Sequence, residues 1–85
     1  MYEIRILDGA VHDLQRLDKV IARRIVKRID WLARNFDSIN RERLTGELSD
    51  FYKFRIGDYR VLYQYLETEQ LLIIHQIGHR REIYR

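Results

Sequence analysis

Apolar and polar residues alternate at the start of the chain and then follow a helical period. In the segment YEIRI every second residue is apolar, which is typical of a half-buried strand. Ala10, Leu14 and Leu17 then recur at helical spacing. The pattern predicts a short amphipathic helix from Asp8, its expected N-cap, to near Asp18.

A second helix is predicted from Lys19 to about Phe36, with Asp18 as its N-cap. Its apolar residues form one stripe with a period of about 3.6 residues. The stripe consists of Ile21, Ile25, Ile29, Leu32 and Phe36. The polar segment that follows, NFDSINRERLTGELSD, is rich in turn-forming residues and is predicted to be a long loop.

Three strand-like segments complete the chain: FYKFRI, YRVLYQYL and LLIIHQI. The short segments Gly57–Asp58 and 67–70 join them, which predicts two hairpins. The sequence therefore predicts one α+β domain over residues 1–85. Its fold class is an N-terminal strand, two helices and a three-stranded antiparallel meander, with the helices covering one face of a curved sheet.

Composition limits the kinds of protein and site that fit. A chain of 85 residues that is 46% hydrophobic can form one modest core. The absence of Cys excludes disulfides and fits a reducing cytoplasm. No apolar segment approaches the roughly 18 residues of a membrane span, so we expect a soluble, cytoplasmic protein. His12, His75 and His79 fall on different predicted elements, so we expect no metal site and no cofactor.

Arginine dominates the basic residues: of 16 Lys and Arg residues, all but Lys19, Lys27 and Lys53 are Arg. Guanidinium groups form planar, multi-donor contacts with phosphate or carboxylate, so this bias suggests an anionic partner. In the first of the three C-terminal strands, the apolar residues should face the helices. Lys53 and Arg55 would then stand together on the opposite face.

Further cations should converge on that face. The tight turn brings Arg60 opposite or diagonal to Arg55, and such like-charged pairs destabilise a sheet unless an anion binds. Gly78 is expected to turn the chain out of the sheet, and Ile83 to anchor the basic C-terminus over the strands. The predicted groove is lined by Lys53, Arg55, Arg60, Arg80, Arg81 and Arg85. Such a groove suits a single RNA strand, while ordinary solvated cations on an open sheet are the alternative.

The second predicted helix carries another basic set with no acidic residue among its members. The set consists of Lys19, Arg23, Arg24, Lys27 and Arg28. Like charges four residues apart cost a few tenths of a kcal/mol in an isolated helix. This set is either an ordinary solvated face or a surface for an acidic protein or ribosomal RNA.

The C-terminal segments resemble the RelE branch of the RelE/ParE superfamily, the toxins of bacterial and archaeal type II toxin–antitoxin systems. The resemblance extends over the whole chain and is most specific in LTGELSD, FYKFRIGDYRVLY and IGHRREIYR. It implies a domain that enters the ribosomal A site and cleaves mRNA there. The implied partners are the ribosome with its mRNA and rRNA, and an acidic or helical antitoxin that wraps the toxin in a hetero-oligomer.

The resemblance also assigns roles to individual residues. The implied catalytic residues are Lys53, Arg60, Arg80 and Tyr84. The resemblance also implies a role for Arg55, which is expected to bind substrate. Arg81 and Arg85, which line the predicted groove, are the other expected substrate-binding residues. Some relatives have a second Lys where Arg55 stands, and a guanidinium group does not release its proton near neutral pH, so this departure weakens any scheme with two titratable amines.

RNA carries its own nucleophile, the 2′-OH, so cleavage without a metal needs a base, charge stabilisation and a proton donor. Crowding by other cations should favour the neutral amine of Lys53, which makes it the first choice as base. Tyr84 is placed to share that role or to stack on a nucleobase. His79 is a second-rank acid beside Arg80, which is a poor proton donor. Glu42 matches a carboxylate base of some sister toxins, but a solvated loop acid is the simpler interpretation.

Two other functions fit the sequence. One is a non-catalytic, ParE-like toxin that inhibits DNA gyrase, and the other is an RNA- or antitoxin-binding module that has lost catalysis. ParE-like chains generally lack the terminal Tyr and the strand Lys, so Tyr84 and Lys53 favour the nuclease. The departure at Arg55 leaves the third interpretation open.

Overall fold

The computed structural model describes residues 1–83 as an α+β domain with a five-stranded sheet. The strands are β1 (Glu3–Ile6), β2 (Glu42–Arg43), β3 (Tyr52–Ile56), β4 (Tyr59–Leu66) and β5 (Leu71–His79). The helices are α1 (Asp8–Gln15) and α2 (Lys19–Asn35), and short 3₁₀ turns cover Phe36–Ser38 and Gly46–Leu48. The predicted fold class is confirmed. The strand count differs because β2 lies in the segment predicted to be a loop.

The strands are arranged in the order β1-β5-β4-β3-β2. β1 pairs in parallel with the first half of β5, and the other neighbouring strands are antiparallel. A two-residue turn connects β3 to β4 and pairs Ile56 with Tyr59. Gly57 in this turn has a φ of 57°, a conformation that glycine adopts readily and that suits a tight hairpin.

The apolar stripe of α2 forms one wall of the core, as its period predicted. Ile25, Ile29 and Leu32 are buried, and Phe36 is buried just beyond the end of the helix. The sheet contributes the buried residues Ile56, Val61, Tyr63, Leu72, Ile74 and Ile77. Among residues 1–83, no helix is both long enough and apolar enough to cross a membrane.

Asp18 caps α2, whereas the predicted cap of α1 is wrong. The Asp18 Oδ1 atom accepts a hydrogen bond from the Val20 N–H (2.9 Å). Helix α1 begins at Asp8 itself, with Leu7 at the N-cap position and no side-chain cap. The Leu7 N–H donates to the Ile74 carbonyl (3.0 Å), so β1 runs directly into the helix and leaves no separate capping residue. The helix also ends at Gln15, earlier than predicted.

Helix α1 completes the sheet where β1 ends. β1 pairs only with residues 71–74, so the second half of β5 has no strand on that side among the described residues. At this edge the Ile77 N–H donates to Asp13 Oδ2 of α1 (2.9 Å). Because an unpaired buried backbone N–H is costly, Asp13 replaces a missing ladder hydrogen bond.

We expect Asp13→Ala to lower the free energy of unfolding by about 1–3 kcal/mol, because it leaves the Ile77 N–H without its acceptor. Asp13→Asn keeps a side-chain oxygen at that position and should recover more than half of the loss. Urea denaturation of the purified variants measures both effects.

Asp30→Ala is the matched control. Asp30 pairs with Arg34 on the exposed side of α2 (2.9 Å), and exposed pairs contribute about 0–1 kcal/mol. If Asp13→Ala and Asp30→Ala lower the free energy of unfolding equally, the hydrogen bond from Ile77 to Asp13 contributes no more to stability than an exposed ion pair.

Candidate functional site

The sheet face turned away from α2, called the outer face below, carries the strand cations. Phe54 of β3 stacks on Trp31 of α2 (6.2 Å between ring centroids), which places the neighbouring Lys53 and Arg55 on the outer face. Arg60 of β4 lies directly opposite Arg55 in the β3–β4 register. The predicted convergence of these three cations is therefore present.

Strand β2 adds a carboxylate to this cationic face. Glu42 pairs with Lys53 in the β2–β3 register, and its Oε2 lies 3.6 Å from Lys53 Nζ. Arg55 Nε lies 3.0 Å from Glu42 Oε1, and Arg55 Nη2 donates to Oε2 at 3.0 Å. Glu42 lies in a strand and not in a loop, because its pairing with β3 holds it between two cations, although its side chain is 45% exposed. A strand of two residues shows no periodicity from which this position could be predicted.

Glu42 changes the electrostatics expected around Lys53. The Lys53 side chain is only 24% exposed, and its ammonium group faces a carboxylate. Lys53 is therefore flanked by a carboxylate as well as by the predicted cations.

Arg60 is held at the β3–β4 turn. Its Nη1 donates to the carbonyl oxygens of Gly57 and Tyr59, both at 2.9 Å. Arg55, directly opposite, is held by Glu42 instead. Each guanidinium group thus has its own acceptor, which offsets the repulsion that their cross-strand position creates.

The chain leaves the sheet after His79 and not at Gly78 as expected. Gly78 pairs with Arg60 and remains within β5. The chain then turns, and the N–H groups of Glu82 and Ile83 both donate to the His79 carbonyl (2.8 and 3.1 Å). Ile83 is 4% exposed, so the predicted anchoring of the C-terminal segment by this residue is confirmed.

The segment after β5 carries Arg80 back to the β3–β4 turn. The Arg80 N–H donates to the Asp58 carbonyl (2.8 Å), and Arg80 Nε lies 3.9 Å from Asp58 Oδ1. Arg81 is exposed, and its backbone N–H donates to His79 Nδ1 (3.2 Å). A neutral His79 with this partner carries its proton on Nε2, which leaves that N–H as the donor of the ring. Tyr84 and Arg85 lie outside the described residues, so their roles stay predictions.

The histidines do not form a shared site. His12 lies on α1, whereas His75 and His79 lie on β5. Among residues 1–83, no three His, Asp or Glu side chains are grouped so that they could hold a metal ion. The charged groups that the described outer face offers a ligand are therefore ammonium, guanidinium and carboxylate.

A β-bulge shapes the other half of the outer face. The β4–β5 register shifts between Leu62 and Tyr63 and leaves His75 as an extra residue on β5. His75 Nε2 lies 2.7 Å from Gln64 Oε1, and the Phe51 ring stands edge to face with the imidazole at 4.9 Å. Burial lowers the pKa of His75, so the ring is neutral at pH 7.

The basic set on α2 is only partly solvated. The Arg28 guanidinium lies 4.5 Å from the Trp31 ring centroid and 5.5 Å from that of Phe54. Arg24 packs beside Gly57, 3.1 Å from the position that a Cβ atom there would take. The exposed members of the set are Lys19, Arg23, Arg24 and Lys27. Val20, 70% exposed, lies among them, so this helix face mixes apolar and cationic surface.

Comparison with known families identifies the chain. The sequence model of the ParE toxin of type II toxin–antitoxin systems matches residues 4–84. The chain belongs to the ParE toxin family. The membership in the RelE/ParE superfamily that the C-terminal motifs indicated is thereby confirmed. A search of curated proteins finds no match.

Solved structures of RelE toxins share the fold. In the toxin–antitoxin complex RelBE2 from Mycobacterium tuberculosis, the matched chain is 28% identical with a TM-score of 0.83, over 93% of this chain and 98% of that one. In the archaeal RelE–RelB complex from Pyrococcus horikoshii, identity is also 28% and the TM-score is 0.70, over 95% and 97%. The isolated RelE toxin of E. coli is 18% identical with a TM-score of 0.75, over 93% and 84%, and at this identity only the fold is shared. Within the superfamily, the chain therefore resembles the RelE branch.

We expect Glu42→Gln to increase the affinity of the outer face for inorganic phosphate, because Lys53 and Arg55 lose the carboxylate that competes for them. NMR titration of the protein with phosphate, followed on the Arg55 side-chain N–H signals, measures the change. The free energy of unfolding should change by less than about 1 kcal/mol, since Glu42 is half exposed.

Glu69→Gln in the β4–β5 turn is the control. It changes the net charge by the same amount as Glu42→Gln, and Glu69 lies far along the chain from β2. Equal gains in phosphate affinity for Glu42→Gln and Glu69→Gln would show that only net charge matters, contrary to the proposed competition.

The lowered pKa of His75 predicts a loss of stability in acid. The folded pKa lies below the unfolded value of about 6.5, so the unfolded chain binds more protons below that pH. Stability is then fully present above pH 6.5 and falls as the pH drops toward the folded value. Urea unfolding at several pH values should show this fall, and His75→Gln should reduce it. An unchanged pH dependence of the unfolding free energy in His75→Gln would contradict the assignment.

Proposed function

We propose that this toxin is a ribosome-dependent endoribonuclease that cleaves mRNA in the A site. The observation that carries the proposal is the cluster of Lys53, Arg55 and Arg60 on an uncovered sheet face, with the Glu42 carboxylate between two of them. Phosphate-binding cations together with a carboxylate are what metal-independent RNA cleavage requires.

The proposed reaction starts from the RNA itself. The 2′-OH oxygen attacks the adjacent phosphorus atom, and the bond from phosphorus to the 5′ oxygen breaks, which leaves a 2′,3′-cyclic phosphate and a free 5′-OH. The nucleophile loses a proton and the leaving oxygen gains one, so a base and an acid complete the balance. Negative charge that develops on the phosphoryl oxygens would be stabilised by Arg60 and Arg80, with Arg55 and Arg81 as additional contacts.

The structure changes the expected identity of the general base. Glu42 supplies a carboxylate 3.6 Å from Lys53 Nζ, and its Oε2 already accepts a hydrogen bond from Arg55 Nη2. Glu42 therefore becomes the preferred base in the proposal, and Lys53 orients it and stabilises charge on the phosphate. Tyr84 remains a proposed contributor to proton transfer or base stacking.

His79 is the proposed acid. Its Nδ1 accepts a hydrogen bond from the Arg81 backbone, so His79 acts as the acid once Nδ1 takes up a proton and releases that contact; the imidazolium then donates from Nε2 to the leaving oxygen. Imidazole exchanges protons near neutral pH, which a guanidinium group does not, so Arg80 is better suited to holding the phosphate than to protonating the leaving oxygen.

We also propose an antitoxin and the ribosome as partners. The related chains from M. tuberculosis and P. horikoshii are found in complexes with RelB-type antitoxins, which supports an antitoxin partner and a hetero-oligomer. The exposed cations of α2 together with Val20 suit an acidic, partly apolar segment, and ribosomal RNA is the alternative ligand for that surface.

Gyrase inhibition is the second candidate function, because the matching family model is that of the ParE toxin. A gyrase inhibitor would arrest growth through DNA damage and leave mRNA intact. The outer-face cluster has no assigned use in that function, so its residues separate the two possibilities.

We expect brief expression of the wild-type chain to produce codon-phased cuts in translated mRNA, detected by primer extension. Lys53→Ala, Arg60→Ala and Glu42→Gln should each reduce cleavage about 100-fold or more, because each removes a transition-state contact or the base. Arg34→Ala, an exposed cation at the end of α2, is the control and should cut like the wild type. Growth arrest with intact mRNA would reject the nuclease and favour gyrase inhibition.

Glu42→Gln also separates the two candidates for the base. If Glu42 only balances the charge of Lys53, the neutral Gln should retain most of the cleavage activity. If it removes the 2′-OH proton, Gln should be as inactive as Lys53→Ala.

A further inference from the structure

A second part of the outer face forms a shallow, open cleft beside the cationic cluster. Its volume is about 540 Å³, and α1 lies on one side of it. Phe51 and Leu48, from the segment between β2 and β3, lie on the other side. Leu62 and Gln76 form its floor. No function proposed above uses this cleft.

The cleft adjoins the cationic cluster. Leu62 pairs with Lys53 on one side and with Gln76 on the other, so these three residues lie in one row across β3, β4 and β5. Neighbouring strands are about 4.8 Å apart, which places Gln76 about 10 Å from Lys53 along this row. A single nucleotide with its phosphate on Lys53 can reach this distance with its base.

The walls of the cleft are suited to a flat, partly apolar ring. Leu62 is 6% exposed although it lies on the outer face, and Leu48 and Phe51 of the flanking segment line the cleft with it. The Phe51 ring stands against His75 at an interplanar angle of 88°, which fixes its orientation. Opposite it, the Arg16 side chain is 76% exposed and is held through one hydrogen bond to Asp13 (3.1 Å). Aromatic rings and guanidinium planes are the surfaces on which unpaired bases stack.

The cleft also offers directional hydrogen-bonding groups. The exposed Gln76 amide has no hydrogen-bond partner within residues 1–83 and presents both donors and an acceptor. Gln64 Nε2 lies within hydrogen-bonding range of the Asp50 carbonyl (3.4 Å), which turns its Oε1 toward His75 Nε2 (2.7 Å). A neutral His75 therefore donates from Nε2 and keeps Nδ1 as an acceptor. Amide and guanidinium groups are the side chains that read the edges of bases.

We propose that this cleft binds one nucleobase of the RNA strand whose phosphate lies on Lys53 and Arg60, and that Gln76 and Arg16 read its edge. The cleft thereby determines base preference beside the cleaved bond. This inference rests on the proposed use of the outer face as an RNA-binding surface, but it does not require that the RNA be cleaved.

Binding of pentaribonucleotides UUXUU, with X as each of the four bases and 2′-fluoro sugars that prevent cleavage, tests the proposal by fluorescence anisotropy. The affinities of the wild-type chain for the four RNAs should differ by about fivefold or more, which is the size expected when one base edge is recognised. Gln76→Ala and Arg16→Ala should reduce that range to within about twofold. Both residues are exposed, so neither substitution removes core packing.

Gln15→Ala is the control, since Gln15 is an exposed amide on the same helix that does not line the cleft. It should keep the wild-type ranking. An unchanged ranking in Gln76→Ala, or no ranking in the wild type, overturns the proposal. Lys53→Ala should weaken the binding of all four RNAs equally, because it removes a phosphate contact that carries no sequence information.

The same variants, expressed in cells, separate this inference from the nuclease proposal. A ranking that depends on Gln76, without mRNA cuts in cells, supports the base site and rejects the nuclease. Codon-phased cuts whose base preference is unchanged in Gln76→Ala support the nuclease and reject the base site.

Discussion

The outer face depends on the contact between one carboxylate and two cations. Glu42 holds Lys53 and Arg55 at 3.6 and 3.0 Å, although both cations stand on a strand whose neighbour presents Arg60. Without this carboxylate, three positive charges would converge on an open sheet with only turn carbonyls as partners. Glu42 therefore orients Arg55 and places a negative charge beside Lys53.

Glu42 is itself held by the residue before it. The Arg41 guanidinium lies 4.2 Å from the Phe36 ring centroid and 5.0 Å from that of Tyr65, and Nη2 donates to the Phe36 carbonyl (3.0 Å). Arg41 Nε is buried without a hydrogen-bond partner among the described residues, a cost that the ring contacts and the other N–H bonds offset. The start of β2 is thus fixed to the aromatic core, and the position of Glu42 follows from that attachment.

Local patterns predicted the elements whose signal is contained within one segment. The apolar stripe of α2 and the alternation of β3 placed Lys53 and Arg55 correctly, and the two-residue turn at Gly57 set Arg60 opposite Arg55. What could not be predicted depends on pairing between distant segments. β2 is too short to show a period, and its partner is chosen by the anchoring of Arg41. The bulge at His75 follows from the β4–β5 register, which no single strand reveals.

The arrangement of partners explains how this face accommodates three neighbouring cations. Functional sites are where a sequence departs from local rules, and the opposed Arg55 and Arg60 are such a departure. Each guanidinium is already oriented by acceptors within the protein, so little side-chain entropy is lost when a phosphate arrives. In the proposed reaction, a phosphate would take over the hydrogen bond that Arg55 donates to Glu42 and the ion pair that Lys53 makes with it, and the displaced carboxylate would remain beside the sugar that carries the 2′-OH. The exchange of one anion for another thus frees a proton acceptor at the point where the proposed chemistry needs one.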